Sequence, residues 1–369
     1  MPSEHDVVVV GAGPAGLSTA GALARIGVAA VVLEQDDQIG ARWAQRYDRL
    51  RLHTARRFSG LAHYPLPKTL PRYVTKDEFA TYLREYAAHF GLDVRLSQEV
   101  TAIRSRAGAW AVETAADTWH AGVVVVATGK YDRPVVPDWP GRDLYRGPVL
   151  HASGYRSGAD YRGQDVLVVG LGNTGAEIAA DLSESGARRV AVAMRTPPPI
   201  TRRDIAGVPV QVLGIAGSVL PASVGDRLGS ALRKIGTGDL SGYGIGPAAW
   251  GPFTARRPPV IDVGFLAQLR AGRVDVLPAV DRLTEDEVVL TDGRRERFDA
   301  VIAATGYRSS LADLLDLDPG RPDALPAGVH TIGFRETIRG ALFEMRRDSL
   351  VLAQTVAAEL DASRQPTPS

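Results

Sequence analysis

Four consecutive valines, Val7–Val10, run into GAGPAG, and the chain continues through small residues at helical spacing to a second apolar run that ends at Glu34. No other stretch of the 369 residues restricts the fold as tightly. The order predicts a strand, a tight turn, a helix and a parallel strand. Gly11 makes the turn, Gly13 leaves room for a pyrophosphate, and Gly16 lets helix and strand pack closely. Pro14 and Ala15 complete the loop, and the unpaired amides at the helix N-terminus suit a phosphate. Glu34, followed by Gln35, stands where a carboxylate accepts hydrogen bonds from ribose hydroxyls. An acid there repels a 2′-phosphate, which favours NAD or FAD over NADP.

The pattern occurs twice. DVLVVGLGNTGAEIAADL leads a strand into Gly170, Gly172 and Gly175, and the next strand, RVAVAM, ends at Arg195 beside Thr196. A guanidinium at that position pairs bidentately with a 2′-phosphate, so this site selects NADPH; the alternative is an exposed charge at a strand end. Asn173, next to Thr174, either contacts the cofactor or caps the helix. Two more apolar strands end in glycine turns. AGVVVVATG stops at Thr128 and Gly129 and, with Val100, is assigned to the first nucleotide. FDAVIAATGY stops at Thr305, Gly306 and Tyr307 and marks the crossing back to the first unit.

The expected fold is therefore α/β, with two Rossmann-like dinucleotide-binding domains. A larger FAD domain (1–145 and 308–369) receives a smaller NADPH domain (146–307) as an insertion. Residues 197–259, rich in glycine and proline, form a lid, a membrane-surface segment or a folding insertion. The polar end, 362–369, is expected to be disordered. Thr75 and Glu78 have capping-box spacing ahead of a helix with Phe79, Leu83, Tyr86 and Phe90 on one face. The arginine-rich segment before it lacks periodicity and reads as an extended loop. Arg42 and Trp43 are placed to cover a cofactor, although Trp43 fits a packed core equally well. His53 and Thr54 can reach a reacting centre, with a structural histidine the alternative. Arg203, with Arg202, either faces a substrate anion or is solvated.

Composition closes off other classes. The formal charge is +1, giving no reason to expect a nucleic acid. No apolar run approaches the ~18 residues of a membrane span, and the N-terminus has no targeting pattern, so a cytoplasmic enzyme without an integral membrane segment is expected. There is no cysteine, which removes disulfide relays, thiolate nucleophiles and cysteine-ligated clusters. No metal-ligand spacing stands out either. Two nucleotide sites of opposite ribose preference imply hydride transfer from NADPH to a held FAD, and without a thiol relay the electrons pass to dioxygen, a quinone or a small acceptor. A monooxygenase, an NADPH oxidase or quinone reductase, and a non-catalytic nucleotide sensor all remain open on this ground.

GAGPAG, GLGNTG with Arg195, ATGY at Ala304–Tyr307, and YRGPVLHASGY before the second glycine loop resemble the class B flavin-containing monooxygenases. That family's signature is matched at Gly147, His151 and Tyr155, with Tyr145 in place of its phenylalanine. Tyr155 stands where Baeyer-Villiger relatives carry tryptophan, which points to the monooxygenase branch. Further stretches, among them YDRLRLH, LAHYPLP, PPVIDVGFLAQLRAG and VVLTDGRRERFDAVIAATGY, are most similar to the YUCCA-type indole-3-pyruvate monooxygenases. His53 occupies the place of an asparagine that faces the flavin in other members, and Arg203 that of an arginine suited to a carboxylate or NADP. The resemblance implies oxygenation of a small molecule through a flavin C4a-(hydro)peroxide beside bound NADP. The chemistry would be oxidative decarboxylation of an aryl-pyruvate, or oxygenation of nitrogen or sulfur in a biosynthetic intermediate. His53, Asn173 and Arg203 are the expected catalytic residues, and Tyr155 is expected to touch cofactor.

Overall fold

The computed structural model describes residues 4–106, 108–317 and 325–364. Its first sheet is built from β1 (Glu4–Val10), β2 (Ala30–Leu33), β3 (Asp93–Arg95), β4 (Val100–Arg106), β5 (Ala109–Thr114) and β6 (Thr118–Val126). The strand order is β3-β2-β1-β6-β5-β4. β1, β2, β3 and β6 run parallel, while β4, β5 and the start of β6 form an antiparallel meander. The end of β6 also pairs in parallel with Val329–Thr331, so the chain returns to this sheet after the second glycine loop.

The second sheet has five parallel strands in the order Val274–Leu277, Arg189–Ala193, Asp165–Val169, Ala300–Ala303, Val149–His151. Its centre and that of the first sheet are buried for the same reason. Val7 and Val9 pack into one core and Val8 and Val10 into another. Likewise Val166 and Val168 go to one side, Leu167 and Val169 to the other. A strand covered on both faces has no reason to alternate polar and apolar residues, hence the unbroken valine runs.

Helices complete the layers. α1 (Pro14–Arg25) lies against the long helix Ala341–Arg364, where Ser18 and Ser349 hydroxyls hydrogen-bond at 2.8 Å. The helix Lys76–His89 starts with the capping box: Thr75 Oγ1 accepts from Glu78 N–H, and the Glu78 carboxylate accepts from Thr75 N–H. Phe79, Leu83 and Tyr86 are in the core.

Two expectations change. The final helix continues through Arg364, because Ala353, Val356 and Leu360 keep one face buried, so 362–364 are helical; residues 365–369 lie outside the described residues. The segment read as an extended loop contains the short helix Arg56–Ser59 and is held by neighbours, with Leu52 N–H donating to Val74 O and Arg56 N–H to Arg72 O, both at 2.8 Å. Its order comes from residues twenty positions away, which local patterning does not report.

Residues 203–259 leave the second sheet as an excursion tied at its base, where Ile200–Arg202 pairs in parallel with Val260–Asp262. The excursion carries two helices, Val210–Gly217 and Ala222–Thr237. Among the described residues no helix is long and apolar enough to cross a membrane.

A Cβ built on Gly16 would lie 1.9 Å from Gly11 O, and one on Gly175 the same 1.9 Å from Gly170 O. Gly16→Ala is expected to destabilise the fold by about 2–3 kcal/mol in urea denaturation, because the helix must move off the turn. Gly27→Ala, at φ +79° but with nothing near its Cβ position, serves as the control and costs about 1 kcal/mol.

Candidate functional site

Both glycine loops open onto one cavity of about 1900 Å³. That exceeds the ~300–1,000 Å³ of a pocket for one small ligand. The two loops have the same geometry. Gly11 and Gly170 each have φ +105°, with the carbonyls of Ala127 and Ala304 pressed against them at 2.9 and 2.6 Å from a Cβ position. Gly13 and Gly172 differ. Their backbone is extended (φ −74°, ψ −179° and φ −89°, ψ −174°), which any residue adopts, and nothing lies within 4 Å of a Cβ position. Neither strain nor protein packing requires glycine there. The room is left for a ligand, at two helix N-termini with no side-chain cap.

On the first loop's side, Glu34 is buried and its carboxylate accepts from Ala12 N–H at 2.6 Å and Asp36 N–H at 3.1 Å. Burial raises its pKa, against the pull of those two hydrogen bonds. Glu34 thus braces the loop as well as facing the cavity. Pro14, Ala15, Gln35, Thr54 and Val100 line the same wall. Arg42 pairs with Asp36 at 3.4 Å, and Trp43 packs edge-on against Phe79 with ring centroids 4.7 Å apart while still reaching the wall. Thr128, beside Gly129, has a buried Oγ1 without a hydrogen-bond partner among the described residues. An orphaned hydroxyl on a wall built from phosphate-sized gaps and a ribose-type acid fits a dinucleotide.

On the second side, Thr174, Arg195 and Thr196 line the cavity, and Arg195 and Thr196 are exposed to it. Asn173 is the first residue of its helix, with Gly172 as the cap, so the capping alternative is corrected. Its Oδ1 accepts from Ile261 N–H at 2.6 Å, pinning the base of the excursion to the loop.

The two sides meet at the glycine turns. His151 Nε2–H donates to Gly306 O at 2.9 Å and its Nδ1 accepts from Ser153 N–H at 3.0 Å, which defines a neutral tautomer. Burial lowers its pKa. Its ring stands edge-on to Tyr307, whose hydroxyl accepts from Arg46 at 2.7 Å. Next to them, Thr305 donates to Val135 O. His53 lines the cavity and its Nε2 lies 2.7 Å from Glu177 Oε1, a carboxylate buried on the second loop's helix. Sequence reasoning gave Glu177 and Arg46 no role. Their partners lie 124 and 261 positions away by numbering, in the other unit, and no local pattern reports that.

Four expected site residues are off the wall. Tyr155 is in the core, its hydroxyl donating to Asp181 Oδ2 at 2.5 Å, and so packs rather than touches cofactor. Arg203 stacks 3.8 Å above the Tyr73 ring and is not among the lining residues, because the excursion turns it toward residues 72–73. Gly16 and Gly175 serve packing, as their 1.9 Å approaches require.

The chain is similar to known proteins throughout. The family described as pyridine nucleotide-disulphide oxidoreductase matches residues 8–206. A probable indole-3-pyruvate monooxygenase of Arabidopsis thaliana, YUCCA3, is 35% identical over 379 residues, covering 95% of this chain and 86% of that protein. The indole-3-pyruvate monooxygenase YUCCA1 of Oryza sativa subsp. japonica is 38% identical over 319 residues, covering 84% of this chain and 78% of that one. Among solved structures, a flavin-containing monooxygenase from Stenotrophomonas maltophilia shares the fold with TM-score 0.76 at 23% identity, covering 97% of this chain and 99% of that one. A bacillithiol disulfide reductase from Staphylococcus aureus does so with TM-score 0.70 at 17% identity, covering 99% and 100%.

Gly13→Ala and Gly172→Ala are expected to leave the melting temperature of the cofactor-free protein nearly unchanged. Gly13→Ala loses flavin on gel filtration, and Gly172→Ala weakens NADPH binding by an order of magnitude or more while keeping flavin. His151, held neutral, contributes stability that is complete above its ordinary pKa of 6.5 and is lost as pH falls below it. His151→Gln therefore flattens the fall in stability below about pH 6, measured by urea titration at several pH values.

Proposed function

The chain belongs to the class B flavin-dependent monooxygenases, related to the plant YUCCA enzymes, and from that premise we propose that it oxidatively decarboxylates an aryl-pyruvate or similar 2-oxo acid. It is an FAD- and NADPH-dependent oxidoreductase that uses dioxygen. In the proposed reaction R–CH2–CO–COO⁻, O2, NADPH and two protons give R–CH2–COOH, CO2, NADP⁺ and water. One oxygen atom enters the acid as the bond between its keto and carboxyl carbons breaks, and the other leaves as water.

The observation that carries this reading is the single cavity with both glycine loops on its wall. The relatives, named for indole-3-pyruvate, supply the substrate class. Bound FAD supplies hydride acceptance from NADPH and activation of oxygen. The residues do the rest. We assign the first loop and Glu34 to the FAD pyrophosphate and ribose, and the second loop with Arg195 to NADPH and its 2′-phosphate. Thr128, Gly129, Thr305, Gly306 and Tyr307 bring backbone against the two cofactors. His53 and Asn173 stand on the wall between the loops and orient the reacting groups, and residues 197–259, the excursion with its entering strand, act as a lid that excludes water. Arg203 loses its proposed part in holding substrate. The division into a flavin unit (1–145 and 308–369) and a nicotinamide unit (146–307) belongs to the same proposal, as does a cytoplasmic location.

With indole-3-pyruvate, the purified holoenzyme is expected to form about one equivalent of indole-3-acetate per NADPH with little hydrogen peroxide. Peroxide accounting for all the NADPH would make it an oxidase, and oxygenation of amines or sulfides alone would overturn the substrate class. Arg195→Ser is expected to cut the preference for NADPH over NADH about tenfold or more, read as the ratio of the two kcat/KM values.

A further inference from the structure

Among the described residues eight arginines line the cavity. Six have partners: Arg42 with Asp36, Arg46 with Tyr307, Arg51 with Tyr73 O, Arg133 with Asp313, Arg257 with Glu336, and Arg335 with Asp348. Two remain without a hydrogen bond or ion pair among the described residues, Arg195 and Arg233. Arg195 follows Arg189–Ala193, the strand after the second glycine loop and its helix, and is assigned above to a phosphate. Arg233 sits on the lid, on the helix Ala222–Thr237.

Its surroundings are apolar. That helix presents Gly225, Leu228, Gly229, Leu232 and Arg233 to the cavity, a spacing of three and four that makes one face. The preceding helix adds Val210, Leu213, Gly214 and Gly217 at the same spacing. Gln211 also reaches the wall, but its amide is used: Oε1 accepts from Ala55 N–H and Nε2 donates to Arg339 O. Arg233 is therefore the one charged side chain that the two lid helices turn to the cavity. Burial pulls its pKa down against the attraction of Asp226, two turns earlier. The Asp226 carboxylate is itself occupied, accepting from Phe253 N–H at 2.8 Å, Thr254 N–H at 3.0 Å and the Thr254 hydroxyl. Leu220, Leu228 and Leu232 line the cavity while remaining 37–52% exposed, so apolar surface and cation lie open together.

We propose that Arg233 anchors the substrate carboxylate and that the apolar faces of the two lid helices hold its aryl body. This rests on the aryl-pyruvate reading and names the residue that would enforce it. A half-buried guanidinium always carries its charge and presents a fork that matches a carboxylate. Placed among leucines and glycines, it favours a ligand with a flat apolar body and one anionic end, and it repels an amine. The two unpartnered guanidinium groups on the wall then match the two anions that no glycine loop is placed to hold: a 2′-phosphate at Arg195 and a carboxylate at Arg233.

The test titrates holoenzyme with phenylpyruvate and with its methyl ester, following the flavin absorbance change for Kd. FAD content and melting temperature report folding. Wild type is expected to prefer the acid. Arg233→Gln should weaken acid binding on the order of 10- to 100-fold and leave the ester unchanged, with Arg233→Lys in between. An acid-to-ester ratio that survives Arg233→Gln, equal losses for both ligands, or no preference in wild type would each overturn the anchor. If the preference depends on Arg233 but no 2-oxo acid is decarboxylated by wild type, the anchor stands and the proposed reaction falls.

Discussion

The architecture depends on one approach made twice, that of a helix to the turn which precedes it. At Gly16 and at Gly175 the helix backbone lies so close to a carbonyl that a single methyl group would sit 1.9 Å from its oxygen. That closeness sets the direction of each helix and places the next free amides at the mouth of the cavity. The neighbouring carbonyls of Ala127 and Ala304 press on the same turns from the adjacent strand. Strand, turn and helix are thus fixed together at each site, and the open position between them, Gly13 or Gly172, is defined by default.

Two such units make a single site only if they are held in register, and polar contacts run along the seam beside the Tyr47–Tyr155 ring contact. The two crossings of the chain pair with each other, Tyr307–Arg308 against Arg133–Pro134. Around them His151 holds the Gly306 carbonyl and Arg46 the Tyr307 hydroxyl. Deeper in, the buried Glu177 of the second unit meets His53 of the first, with Tyr47 against it, its phenol pKa raised by burial and then by that carboxylate. A seam of directional contacts fixes orientation more sharply than an apolar one, which would tolerate sliding. Without cysteine anywhere, this seam contains no thiol, although the matched family carries disulphide chemistry in its description.

The sequence is legible where the physics is local. The two glycine loops, the valine runs buried on both faces and the capping box at Thr75 and Glu78 could all be read because periodicity or a short motif dictates them. Glu34 was legible in place but not in its second duty, bracing Ala12 N–H. Tyr155 misleads because a motif says that a residue matters without saying why: its hydroxyl serves Asp181 in the core. Arg203, Asn173 and Arg233 depend on how the excursion folds back, through Tyr73, Ile261 and the two helix faces respectively. Such contacts join residues far apart in the chain, and adjacent letters carry no trace of them.

The short parallel pair of Ile200–Arg202 with Val260–Asp262 gives the excursion a property of its own. Its two ends leave the sheet side by side, and the segment between them contributes none of the strands of either large sheet. A segment inserted in this way can change in length or lining without altering the register of either large sheet, with Gln211 as its further tie to Ala55 and Arg339. Change there leaves both glycine loops in place. It is confined to residues 203–259, entered and left through one hydrogen-bonded pair of strands.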